Sequence, residues 1–224
     1  VSTKTFVDDI FSTFLYKGND SSITVNNSLD LSTEGGLVWV KNRTTSYGNF
    51  LFDTERGTTT ALSSNLTNAN FSEPKGVTSF NSNGFTIGGS GADLAFNSSS
   101  HDYASWTFRK APGFLDIIEW SGNGSNRLIN HNLGSVPGMV AVKCTSHNEN
   151  WQIWHKSFGY THSFAFNRDA PADSGASNTW NSTDPTATQI SVGSSVVNAS
   201  GKDYVAYVFA GGESTAATAR SVDF

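Results

Sequence analysis

The sequence predicts an all-β protein built as two tandem antiparallel β-sandwiches, jelly-roll-like and related by internal duplication. Three observations lead there. Apolar residues alternate with other residues at period two, clusters of Gly, Asn, Ser and Asp punctuate the chain at short spacing, and the first half reappears in the second.

The duplication rests on four matches. Phe14–Asp20 returns as Ile118–Gly124, placing Gly18 on Gly122 at an offset of 104 residues. Gly36–Lys41 returns as Gly138–Lys143 and Leu51–Gly57 as Ile153–Gly159, both at 102. Asp102–Phe108 returns as Asp203–Phe209 at 101. Four matches in one order define a repeat of about 100 residues. The expected division is 1–112 for the first sandwich and 113–211 for the second, joined near Pro112-Gly113, with 212–224 a linker or the start of a following β domain.

Along the chain, Val7–Leu15 reads as a strand or as a short helix. In Gly36–Lys41 the matched pairs Val38/Val140 and Val40/Val142 mark the inward face of a strand. Lys17–Asp20, Asn81–Gly84, Gly88–Gly91 and Ser121–Gly124 have turn composition. No window sustains the i, i+3, i+4, i+7 spacing of an amphipathic helix.

Lys plus Arg number 14 against 19 Asp plus Glu, a formal net charge of −5. That balance excludes a nucleic-acid binder working by bulk charge, which needs a basic field. Hydrophobic residues at 37% and aromatics at 12% supply a core. The lone cysteine, Cys144, excludes an intrachain disulfide and a cysteine metal cluster, and no cofactor is expected. No run of about 18 apolar residues predicts membrane insertion, and no signal peptide is evident. Val1 in first position predicts a processed product or fragment.

Candidate chemistry is sparse. Asp53, Glu55 and Arg56 stand before Gly57, and alternation places the two carboxylates on one face, where they could bind a metal or act as acid and base; an ion pair at a strand end is the simpler reading. The second copy has His155, Ser157 and Phe158 there, so the fold does not require the cluster. His101, His131, His147, His155 and His162 lack metal-ligand spacing and read as isolated surface residues. Gly84–Gly89 lacks the Lys of a phosphate loop, and Cys144 near His147 lacks an oxyanion element. The expectation is therefore no catalytic residue and no metal site. Nine Asn-x-Ser/Thr triplets follow from the Asn, Ser and Thr surplus.

Aromatic side chains carry the one binding-site expectation, because flat rings stack on sugars. Trp39, Trp106, Trp120 and Trp154 have apolar neighbours and read as core. Trp151 falls where the first copy has Asn49, Trp180 lies among Asn, Ser and Thr, and with Tyr160 and His162 they form the candidate ligand-binding patch. The competing reading packs them between the sandwiches or against a neighbouring subunit.

Ile10–Tyr16, Gly35–Arg43, Leu51–Gly57, Tyr103–Phe114, Ser121–Ser125, His131–Met139 and Tyr204–Ala210 resemble a repeat in virion structural proteins, often described as tail fibres, of marine tailed bacteriophages. The resemblance spans about Val7 to Ala210. It implies a non-enzymatic virion structural protein, a module of an external appendage serving assembly and host-surface attachment. Its implied partners are other virion proteins, identical subunits in a homo-oligomer (in fibre proteins commonly a trimer), and a host surface glycan. It also implies a concanavalin-like module downstream, whose first strand Ala219–Phe224 resembles. The alternative is a carbohydrate-binding module that grips host polysaccharide itself. A polysaccharide depolymerase ranks last, since adjacent acids on one strand rarely flank a cleft.

Overall fold

The computed structural model describes residues 5–90, 95–212 and 217–218. The protein is all-β, with several antiparallel sheets. Among the described residues helical structure is limited to single 3-10 turns at Val7–Asp9, Gly159–Thr161 and Ala176–Asn178. The described residues form two compact units, one from 5–64, 71–90 and 95–110 with Ala217–Thr218 paired onto it, the other from Asn65–Asn70 and 111–212.

In the first unit the strands are β1 (Thr5–Phe6), β2 (Phe11–Lys17), β3 (Ser21–Asn26), β4 (Gly36–Asn42), β5 (Asn49–Asp53), β6 (Thr60–Ser63), β7 (Phe71–Ser72), β8 (Val77–Asn81), β9 (Gly84–Ser90) and β10 (Asp102–Arg109). One sheet runs β2-β10-β4-β5-β6-β7 and a second β3-β9-β8. Val38, Val40 and Phe52 of the first meet Val25, Val77, Phe85 and Ile87 of the second in a closed apolar core. Alternation explains the division: every second residue of β4 reaches this core, and the residues between face the other way. Val7–Leu15 resolves into both readings, a 3-10 turn at Val7–Asp9 followed by β2.

The second unit contains β11 (Leu115–Ser121), β12 (Arg127–Asn130), β13 (Pro137–Cys144), β14 (Gln152–His155), β15 (Gln189–Val192) and β16 (Asp203–Ala210). Its main sheet runs β11-β16-β13-β14, and β12 pairs with β15. Val140, Val142, Trp154, Ala206 and Val208 pack with Ile190 and Val192 in its core. The final strand, β17 (Ala217–Thr218), runs parallel to β1. Ala219–Phe224, expected to open a further module, lies outside the described residues.

Strand order and register correspond between the units. β2-β10-β4-β5 has the order of β11-β16-β13-β14. Val38 stands opposite Thr107 and Phe52, and Val140 opposite Val208 and Trp154. Tyr103 pairs with Tyr16 and Asn42, and Tyr204 with Trp120 and Cys144.

Two expectations change. Gly88-Gly89-Ser90 belongs to β9 rather than to a turn, and Gly91 lies outside the described residues. A Cβ on Gly89 would fall 2.1 Å from the Ser21 carbonyl carbon, so this glycine lets β3 approach closely beside its bulge. Trp39 and Trp106 are not core: they pair across β4 and β10 on the face opposite Val38 and Val40, half-buried, with ring centroids 6.1 Å apart at 65°.

Candidate functional site

The aromatic patch expected at Trp151, Tyr160, His162 and Trp180 is not an exposed surface. Trp151 is fully buried and lies against Phe166 and Tyr207, with ring centroids 5.4 and 6.1 Å away. Trp180 is 2% exposed and donates its indole N–H to the His162 carbonyl at 3.1 Å. The cause is local: the 3-10 turn at Ala176–Asn178 continues through hydrogen bonds from the Thr179 and Trp180 amides to the Ala176 carbonyl, and the Trp180 indole joins the second core. Polar neighbours in sequence misled because they describe the loop surface, not the side chain that the turn folds inward. Tyr160 packs half-buried on the same core, and His162 is half-buried with Nδ1 2.8 Å from Thr161 Oγ1. Exposed rings here are Phe158, 46% exposed, with His162 and Phe164 at 5.4 and 4.9 Å, and Phe166, 38% exposed.

Asp53, Glu55 and Arg56 part company. The strand ends at Asp53 and the chain turns, so alternation does not carry Glu55 onto the face of Asp53. Asp53 is fully buried; its Oδ1 accepts the Glu55 and Arg56 amides and its Oδ2 the Arg56 Nε at 2.7 Å. The buried Arg56 guanidinium also donates to the Leu51 and Thr60 carbonyls. This is a structural bracket between β5 and β6.

Glu55 swings away to Lys110 Nζ at 2.6 Å, beside a polar cleft of about 550 Å³ in the first unit. Gly35, at φ +79°, lines the cleft: the Lys110 amide donates to its carbonyl, and an added Cβ would sit 3.1 Å from Lys110 Cδ and 2.8 Å from Thr54 Oγ1. Thr54 Oγ1 accepts the Gly36 amide, and Glu34 on the rim pairs with Arg109 at 3.3 Å. Thr58, Thr78, Ser79 and Phe80 also line it.

Two histidines expected at the surface are buried. His131 donates from Nε2 to the Thr186 carbonyl and accepts the Leu133 amide at Nδ1, which fixes its tautomer, and burial pushes its pKa down. His101 is 9% exposed. Cys144 is a core residue, while the His147 ring meets the Ser146 hydroxyl. Among the described residues no three His, Cys, Asp or Glu side chains converge as a metal site needs.

Sequence comparison missed the arrangement that both units share most closely. Tyr103 OH accepts the Ser98 amide at 2.9 Å, and Tyr204 OH the Ala199 amide at 3.0 Å, a tyrosine bonded back to the chain five residues upstream. Tyr16 OH donates to the Phe96 carbonyl, and Trp120 Nε1 to the Val197 carbonyl. Fully buried Asn97 and Asn198 tie down the turn after β2 and after β11: Asn97 bonds the Asn19 amide and the Ser21 carbonyl, and Asn198 the Asn123 side chain and the Ser125 carbonyl. The signal was present, since Phe96-Asn97-Ser98-Ser99 aligns with Val197-Asn198-Ala199-Ser200 at the same offset as the tyrosines.

No curated protein and no solved structure matches this chain. The sequence matches the family described as a domain of unknown function, DUF7483, over residues 7–217. That match takes in both units, their cores and the paired tyrosines, and the chain belongs to this family.

Proposed function

We propose that the chain is two copies of one jelly-roll-like β-sandwich and acts as a non-enzymatic structural module of a virion, part of a phage tail fibre or similar external appendage that assembles with identical subunits and other virion proteins. The observation that carries this reading is what the two copies share. The repeated residues Gly18/Gly122, Asn97/Asn198 and Tyr103/Tyr204 brace each sandwich; the charged cluster Asp53, Glu55 and Arg56 is not repeated. Repeated bracing without a repeated chemical cluster fits a part that bears load or spaces others. The virion context is supported by the sequence resemblance.

The test is immunogold labelling of purified phage particles with antibody to this chain, alongside the mass of the purified chain in solution. Label on an external appendage and a discrete oligomer support the reading; label absent from particles overturns it. A second reading, direct binding of a host-surface glycan, is favoured by the polar cleft of the first unit rather than by the buried tryptophans.

A further inference from the structure

We propose that the cleft between Gly35, Thr54, Thr58 and Phe80 of the first unit is a binding site for an uncharged oligosaccharide, held by Glu34, Glu55, Lys110 and the cleft hydroxyls. The inference rests on the glycan-binding reading and names its site and ligand class.

The first support is that the cleft's charges are surplus to the fold. Glu55 aligns with Ser157, Lys110 with Gly211, Arg109 with Ala210 and Glu34 with Val136, yet the second unit keeps the same strand order. Half-exposed ion pairs add little stability, so architecture alone does not account for two of them at one cleft.

The second support is chemical fit. Glu55–Lys110 and Glu34–Arg109 pair off, leaving no net local charge to attract an ionic ligand. The same groups suit hydroxyls: each carboxylate has free lone pairs for sugar O–H donors, the ammonium donates to ring and hydroxyl oxygens, and Thr and Ser hydroxyls do both. Phe80 supplies an apolar surface for the C–H face of a ring. The volume lies within the range of small-ligand clefts. Gly35 fits this role too, because a side chain there would clash with Thr54 Oγ1, crowd Lys110 Cδ and strain a backbone at φ +79°.

The experiment is an array of neutral and uronic-acid-containing bacterial oligosaccharides probed with the whole chain, followed by titration of the ¹⁵N-labelled chain with the strongest neutral ligand. Amide shifts are expected at Gly35, Thr54, Thr58 and Ser79. Glu55→Gln with Lys110→Met should weaken binding about tenfold or more, while Phe158→Ala in the second unit leaves it unchanged. The double variant must keep the wild-type amide spectrum away from the cleft; should it not, Thr58→Ala at an exposed position replaces it. Neutral-glycan binding with shifts around Phe158 and His162 would overturn the cleft and keep the glycan reading. Binding confined to acidic glycans would overturn the ligand class, and absence of binding across the array would overturn both.

Discussion

Tyr16 lies flat on Tyr103, ring centroids 5.1 Å apart and planes 14° from parallel, and Trp120 lies on Tyr204 at 5.5 Å with the same 14°. A different ring in the second pair preserves the stack, because either ring offers the face and the polar hydrogen that reaches the Phe96 or Val197 carbonyl.

This clasp yields the first prediction. Tyr103→Phe leaves the buried Ser98 amide without its acceptor, and Tyr204→Phe does the same to Ala199. Each should cost about 1–3 kcal/mol in urea unfolding. Gly18→Ala should cost at least as much, since its Cβ would stand 2.0 Å from the Ser98 carbonyl oxygen.

Trp151→Ala and Trp180→Ala should each destabilise the second unit by about 3–5 kcal/mol, as removal of a packed indole does. Phe158→Ala, at an exposed ring, should stay within about 0.5 kcal/mol of wild type. Thermal unfolding that ranks the three otherwise would contradict the burial.

Arg56→Ala strands the Asp53 carboxylate without its buried partner. The expected loss is about 3–5 kcal/mol. Asp53→Asn, which keeps an oxygen for the two turn amides, should lose less. Denaturant midpoints of the two variants decide the order.

Lys143 makes a pH prediction. Its side chain is fully buried, with Nζ on the Thr67 and Cys144 carbonyls, and burial lowers its pKa from 10.5 to about 8 against the opposing pull of Cys144 and Glu149. Between those values the unfolded chain holds the proton that the folded chain has released. Stability should therefore rise with pH from about 8, by at most about 1.4 kcal/mol per unit. Tyr16 and Tyr204, whose pKa values burial raises, work in the opposite sense near pH 10. Denaturation midpoints from about pH 8 to 9.5 should thus climb in the wild type and flatten in Lys143→Met.

The sequence made the strands legible wherever alternation was regular. Val38, Val40, Val140 and Val142 stand in the cores because period two has one inward phase. It failed where backbone turns override neighbours: the 3-10 turn that buries Trp180 and the strand end that separates Asp53 from Glu55 leave no periodic trace. Trp39 and Trp106 show a further limit, since alternation identifies two faces without saying which apolar one is the core. The polar cleft was half-visible, as Glu55 stood out in sequence, but its partner Lys110 comes from 55 residues away.

The hexapeptide Asn65–Asn70 is held by the second unit. The Asn70 amide donates to the Thr145 carbonyl, the Glu149 amide and Lys143 Nζ to the Thr67 carbonyl, and the Ala69 amide to Asn148 Oδ1. Neither unit can therefore be excised as an uninterrupted stretch of chain. Cutting at Lys110 would strip the C-terminal fragment of a peptide that its strands grip and leave the N-terminal fragment with an unsatisfied loop. During synthesis that loop leaves the ribosome well before β13 exists to receive it, so a segment made with the first unit waits, unpaired, for the second.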